Sequence, residues 1–132
     1  MIYGIGIDII RVDRMREAVG RWGERFLHKV FTEGEIAHCY RKRDPFPSLA
    51  VRFAAKEALI KALGSRFFPL TDIAVVNQEH GRPVLHLRGR VEGLFRDRGL
   101  CGPLLSLSHE KDYGIAFVVV EKEEKPPRLS AS

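Results

Sequence analysis

Residues 1–10 read MIYGIGIDII, and the way this stretch is turned decides what the rest of the chain can pack against it. Side chains alternate along a strand, so Tyr3, Ile5, Ile7 and Ile9 share one face. Ile2, Gly4, Gly6, Asp8 and Ile10 share the other. The β-branched face is the expected core face. The second face is bare at two glycines and then charged, which suits the close approach of something other than protein side chains. A carboxylate buried there without compensation costs several kcal/mol, so Asp8 calls for a cation, a metal or water. A solvated turn residue where the strand ends is the plain alternative, and the strand leaves both open.

The 132 residues fit one domain with a real core. A composition 45% hydrophobic and 30% charged is neither disordered nor fibrous. Cys39 and Cys101 lie far apart in no metal-ligand spacing and read as reduced thiols of a cytosolic protein. No run reaches the apolar length of a membrane span, and no signal peptide is read in the first residues. The net charge is +5, and residues 11–43 hold nine Lys or Arg against five Asp or Glu, hence +4 of it. Such an excess steers acidic partners, whether phosphates, nucleic acid or an acidic protein.

Beyond the first strand, RVDRMREAVGRWGERFLHKVF (11–31) reads as helical, with Gly20 and Gly23 expected to break or bend it. Thr32 and Glu35 stand in capping-box spacing at the start of a short helix running toward Arg43. DPFP (44–47) reads as a turn, and SLAVRFAAKEALIKAL (48–63) as the main helix, with Gly64 as its C-cap. TDIAVV (71–76), PVLHL (83–87), LLSLS (104–108) and YGIAFVVVE (113–121) read as strands. EHGRP turns between the first pair, and RVEGLFRDRG forms a short helix between the two pairs. Helices and hairpin-like strand pairs are partly segregated, which favours an α+β fold. Residues 1–122 form the expected single domain, and 123–132 an expected mobile tail.

Three further places carry candidate chemistry. On the main helix Phe53, Glu57 and Ile60 fall on one face, so Glu57 sits in an apolar stripe where a charge is least expected. Its i,i+4 neighbour Lys61 offers the plain explanation, an ion pair. Arg52 and Lys56 are like charges at i,i+4, unfavourable unless an anion lies between them. Asp8 and Glu57 together could hold a hard cation, since two carboxylates plus substrate phosphates and water is a usual Mg2+ environment. In LSLSHE (105–110) Ser106 and Ser108 share a strand face and His109 lies at the exit. Without a G-x-S-x-G elbow these are no hydrolase pair, but they can hydrogen-bond phosphate oxygens. An ordinary edge strand with a surface histidine remains the alternative. Finally, if the first helix is unbroken, Arg14, Arg21 and Arg25 share a face beside Met15, Trp22 and Phe26. That face suits an acidic amphipathic helix, or is simply solvated.

Taken in order, GIGIDIIRVDR (4–14), VFTEGEIAHC (30–39), RFAAKEALIKALG (52–64), TDIAVVNQEHGRPVLHL (71–87) and LSLSHEKDYGIAFVVVE (105–121) resemble the 4′-phosphopantetheinyl transferases, specifically the small bacterial holo-acyl-carrier-protein synthases. The resemblance implies that family's α+β fold, an antiparallel-rich sheet against a long central helix and shorter helices. It implies transfer of 4′-phosphopantetheine from coenzyme A to a serine of an apo acyl carrier protein in fatty acid biosynthesis, releasing adenosine 3′,5′-bisphosphate. Carried onto this chain, it makes Asp8 and Glu57 ligands of a Mg2+ cofactor and Lys61 a phosphate-facing catalytic lysine, with Lys56 assisting. Arg52, Ser106 and His109 fall where coenzyme A binds, with Gly64 and Pro83 near the nucleotide. Arg14, Arg21 and Arg25 become the face for the carrier protein. A cytoplasmic homotrimer, with the coenzyme site between adjacent subunits and no role for nucleic acid or membrane, is implied as well. One departure stands out: the family's glycine-rich turn after the main helix here reads GSRFFPL (64–70), which leaves the coenzyme contacts of residues 65–69 open.

Two other classes compete. An RNase H-like nuclease also starts on an apolar strand with an Asp after a glycine, yet it needs about three or four clustered carboxylates for two metals, against two well-placed here. A basic nucleic-acid-binding module would use the arginines but leave Asp8 and Glu57 without a role.

Overall fold

A helix with apolar residues on every side must be largely buried, and SLAVRFAAKEALIKAL forms one, exposed only at Lys61. In the computed structural model, which describes residues 1–64 and 68–124, this helix is the centre of the molecule. The chain runs β1 (Ile2–Arg11), α1 (Val12–Val30), α2 (Glu33–Tyr40), α3 (Phe46–Leu63), a 3₁₀ turn (Leu70–Asp72), β2 (Ile73–Asn77), β3 (Pro83–Leu87), α4 (Gly89–Arg98), β4 (Leu100–His109) and β5 (Tyr113–Lys122). One face of α3 lies on an antiparallel sheet of order β1-β5-β4, while α1, α2 and the β2-β3 hairpin close over its other sides. The expected α+β class holds.

The segment ends follow local chemistry. Thr32 and Glu35 form the full capping box: Thr32 Oγ1 accepts from the Glu35 N–H at 3.2 Å, and Glu35 Oε1 from the Thr32 N–H at 3.0 Å. The main helix starts two residues earlier than its sequence suggests, at Phe46. Pro47 falls in the first turn, where its missing N–H has no helical partner to lose. At the other end Gly64 is left-handed (φ 71°), and its N–H reaches the carbonyls of Ile60 and Lys61. Of the two glycines expected to break α1, only Gly23 does so (φ 62°, ψ −145°), and Gly20 stays helical. Thr71 and Asp72 belong to the 3₁₀ turn rather than to β2, and β4 starts four residues before the expected Leu104.

The first strand is turned opposite to expectation. Register pairs Gly4 with Val120, Gly6 with Val118 and Asp8 with Ala116, and this face, not the isoleucine face, lies on α3. A Cβ on Gly6 would run into the main-chain carbonyl of Ala58, and one on Gly4 into that of Ala62. The bare positions therefore admit the helix backbone rather than a diphosphate. Ile5, Ile7 and Ile9 instead stand about 60% exposed on the open side of the sheet, at 60%, 59% and 60%, with Leu104 and Phe117 exposed beside them. The core is alanine- and valine-rich: Ala50, Ala54, Ala55 and Ala58 against Ala116, Val118 and Val120, with Met15, Phe31 and Leu59 filling the rest.

Among the described residues no helix is long and apolar enough to cross a membrane. Both cysteines are free; burial pushes the Cys39 thiol up, so it is an unreactive core group. β5 ends at Lys122, and Glu123 still donates its N–H to the Gly99 carbonyl (2.9 Å); of the expected tail, residues 125–132 lie outside the described residues.

Candidate active site

Because α3 lies with its backbone on the two glycines, its next turns come close to Asp8. Lys61 Nζ donates to Asp8 Oδ1 and to the Ile7 carbonyl, both at 3.0 Å. This is the cation that the buried end of β1 required: the Asp8 side chain is 17% exposed, the Lys61 side chain 55%. Glu57, one turn before Lys61, lines a pocket of about 330 Å³ together with Asp8, Arg14, Phe26 and Phe53. On its other side Glu57 borders a wider groove of about 1090 Å³, with Lys61, Lys29 and Gly64 on the rim and Val30, Phe68 and Leu70 among its apolar walls. Two carboxylates and an ammonium thus meet at the junction of two clefts.

A second, cationic cleft of about 180 Å³ opens at a different place on α3, and no lining residue is common to it and the first two. Arg52, 4% exposed, is its floor. Its Nη1 donates to Ser48 Oγ at 2.6 Å and its Nη2 to Asn77 Oδ1 at 2.9 Å, while its buried Nε has no partner among the described residues. Lys42, His38 and His109, with Val51, Pro83 and Leu107, complete the lining, which contains no carboxylate. His38 is held below its ordinary value, first by burial and then by Arg52, Lys42 and Arg41. A concave site lined by Arg52, Lys42 and two histidines, with no carboxylate, can take an anion with several oxygen acceptors.

Residues 4–118 match the model of the "4'-phosphopantetheinyl transferase superfamily". The holo-[acyl-carrier-protein] synthase of Halothermothrix orenii is 46% identical over 124 residues, covering 92% of this chain and 99% of its own. That of Thermodesulfovibrio yellowstonii is 44% identical, covering 91% and 99%. The chain belongs to the holo-[acyl-carrier-protein] synthases of this superfamily. The crystal structure of the Neisseria meningitidis synthase superposes with a TM-score of 0.86 at 33% identity, covering 92% of this chain and all of that one (100%). The Bacillus anthracis synthase, solved "in complex with CoA (3',5'-ADP)", gives 0.77 at 32% identity, covering 93% and 99%. The activity of the family is phosphopantetheinyl transfer, and neither the nuclease nor the nucleic-acid-module reading has support in these relatives.

As a synthase of this family, the chain brings together Asp8, Glu57, Lys61 and Gly64, and separately Arg52, Pro83 and His109. Ser106 belongs to neither group: it pairs with Phe117 on the open face, whereas His109, opposite Gly114, faces the helix side. Lys56 requires a correction. It is 0% exposed, its three N–H bonds going to Glu35 Oε1 (2.6 Å), the Val30 carbonyl (2.7 Å) and the Leu70 carbonyl (3.0 Å), so it has no surface for coenzyme A. The acidic partner of Lys56 is Glu35. Burial holds the Lys56 pKa below its ordinary value, with Glu35 opposing that shift. The arginine face also needs correction. The break at Gly23 ends the helical count that aligned Arg25 with Arg14 and Arg21, and Met15 is a core residue. All three arginines stay exposed, Arg14 at the Asp8–Glu57 pocket, Arg21 over the 62% exposed ring of Trp22, and Arg25 beyond the break.

Two hard oxygen donors in one pocket suit Mg2+, whose other ligands would be phosphate oxygens and water. Among the described residues no group of three or more His, Cys, Asp or Glu could cage a metal. Sequence reasoning missed His38, Lys42, Ser48 and Asn77 in the cationic cleft. Only Lys42, within the basic run RKR (41–43), carried a signal, since the others meet through folding alone. It missed the Glu35–Lys56 pair too, although a lysine inside the alanine-rich run AAKEA was the available clue.

Proposed function

We propose that this synthase holds Mg2+ between Asp8 and Glu57 against the diphosphate of coenzyme A, and that Lys61 presents its ammonium to the same phosphates. In the transfer a serine oxygen of the apo acyl carrier protein forms a bond to the phosphorus bearing the pantetheine arm. The P–O bond to adenosine 3′,5′-bisphosphate breaks, and the serine gives up its proton. The bound metal ion would offset charge on the diphosphate as that bond breaks. Because the nucleophile belongs to the carrier, the chain itself needs no reactive serine or cysteine, and position and charge are what it must supply. The observation that carries this reading is the convergence of Asp8, Glu57 and Lys61 at one cleft junction.

The cationic cleft around Arg52, His109 and Pro83 is the natural seat for the coenzyme's remaining phosphate. Within one protomer it shares no residue with the Asp8–Glu57 pocket, and Ser106 lies on a third surface. An exposed isoleucine, leucine and phenylalanine face is a contact surface in waiting. A homotrimer joined through Ile5, Ile7, Ile9, Leu104 and Phe117 would cover it and set one protomer's carboxylates beside a neighbour's cationic cleft. Arg14, Arg21 and Trp22, with Arg25 adding charge, form the docking surface for an acidic carrier protein serving fatty acid biosynthesis. Two free thiols accord with a cytoplasmic enzyme.

Intact-mass analysis of an apo acyl carrier protein, after incubation with the chain, coenzyme A and Mg2+, tests this. A gain of one phosphopantetheine that disappears with EDTA and in the Asp8→Ala and Glu57→Ala variants is expected. Transfer that survives both substitutions would remove the metal pair from the mechanism.

A further inference from the structure

The one buried ion pair of the described residues stands directly behind the reacting groups. Lys56 and Glu35 have side chains 0% and 1% exposed and meet at 2.6 Å. Lys56 spends its other two protons on main-chain carbonyls, those of Val30 at the end of α1 and Leu70 at the start of the 3₁₀ turn. Glu35 is equally engaged: Oε1 also accepts from the Thr32 N–H (3.0 Å), and Oε2 from the Val75 N–H of β2 (3.0 Å). The Phe31 ring lies 5.3 Å from the ammonium. Through two side chains, α3 is tied to the end of α1, the start of α2, the 3₁₀ turn and β2.

Stability is a poor explanation for such a pair, because replacing a buried ion pair by apolar residues of similar size is often neutral or stabilising. What the pair holds is more informative. Val30 and Leu70, whose carbonyls Lys56 grips, are also wall residues of the groove that Glu57, Lys61 and Gly64 border. Lys56 is the residue before Glu57 on the same rigid helix, pointing inward where Glu57 points to the groove. A main-chain carbonyl gripped from behind has little freedom to move with the solvent-facing side chains around it.

We propose that Lys56, locked by Glu35, is a positioning residue: it sets the separation between α3, with Glu57 and Lys61, and the opposite groove wall of Val30 and Leu70, and so governs how tightly coenzyme A is held. The inference rests on the transferase reading above, with coenzyme A occupying this groove. It acts on a wall that touches the substrate before and during reaction alike, so its loss weakens binding more than it slows chemistry.

The test is the double variant Glu35→Leu/Lys56→Met, which replaces both charges with apolar groups of similar length. The expected protein melts cooperatively at or above the wild-type temperature. Its KM for coenzyme A rises on the order of 10- to 100-fold while kcat changes by less than about threefold, and titration calorimetry with coenzyme A and Mg2+, without carrier, shows the same loss of affinity. Glu57→Gln beside it should do the reverse, lowering kcat more than it raises KM. A folded double variant with wild-type KM and kcat would overturn the proposal and leave the transferase reading intact. A wild-type chain that modifies no carrier and binds no coenzyme A would remove both. If the double variant does not fold, Glu35→Gln, which keeps volume but removes the charge pairing and can no longer accept from both Lys56 and the Val75 N–H, is read by the same criterion: a raised KM supports the proposal, and an unchanged one overturns it.

Discussion

The two faces of β1 have opposite fates. On one, Gly4 and Gly6 are pressed against the α3 backbone and Asp8 is drawn into a contact with Lys61. On the other, three isoleucines stand exposed beside Leu104 and Phe117. The more apolar face is the one this chain leaves open, because burial inside a protomer is decided by what can approach, and a helix backbone approaches closest where there are no side chains. The same closeness brings α3's functional residues to the strand. The packed face therefore builds the candidate site, and the open face is left exposed in the protomer.

The sharpest way to break this comparison is Gly6→Val. A side chain there meets the Ala58 main chain, which cannot swing aside, and the expected cost, about 3 kcal/mol or more, is a large share of a small domain's stability. Urea unfolding should find little folded protein; wild-type stability would mean that α3 does not lie on this face. Next is Asp8→Asn on the same face, which should leave the melting temperature nearly unchanged but reduce transfer on the order of a thousandfold, read by intact mass at matched Mg2+.

On the open face, Ile7→Glu should change protomer stability by no more than about 0.5 kcal/mol, while light scattering shows the assembly shifted to monomer and turnover falls with it. An unchanged oligomer would clear this face of any part in assembly. The smallest effect belongs to the cationic cleft. His38 has its pKa lowered from 6.5 by burial and by nearby cations, so as pH falls the unfolded chain takes up its proton first. Its contribution is present above pH 6.5 and is lost as pH falls through that value toward the folded one. His38→Gln should flatten the decline in melting temperature between about pH 7.5 and 5.5. Coenzyme A should flatten it as well, if its phosphate seats in this cleft and favours the charged imidazole.

Much of the fold was legible along the chain. The capping box at Thr32, the C-cap at Gly64, the alanine-rich main helix and the paired strands are all local chemistry, in which a few consecutive residues carry the whole signal. That Asp8 and Glu57 are candidates was legible too, since each is a charge set in an apolar pattern, and folding brings them to one pocket. Lys56 was misread because a lone lysine defaults to the surface. Its burial depends on Glu35, twenty-one residues away, and on two carbonyls that no side-chain pattern announces. The arginine face was overextended because one non-helical residue, Gly23, resets the angular count beyond it.

By itself, then, the sequence determined which segments are helix or strand, the caps at Thr32 and Gly64, and that two carboxylates and a lysine stand out from their surroundings. Tertiary structure alone decided which face of β1 turns inward, that Lys61 rather than solvent neutralises Asp8, and that residues from 38 to 109 meet around Arg52. The reason is physical. Periodicity and capping depend on neighbours within a turn or two, while orientation and pairing depend on the closest approach between elements, which is known only once they are packed.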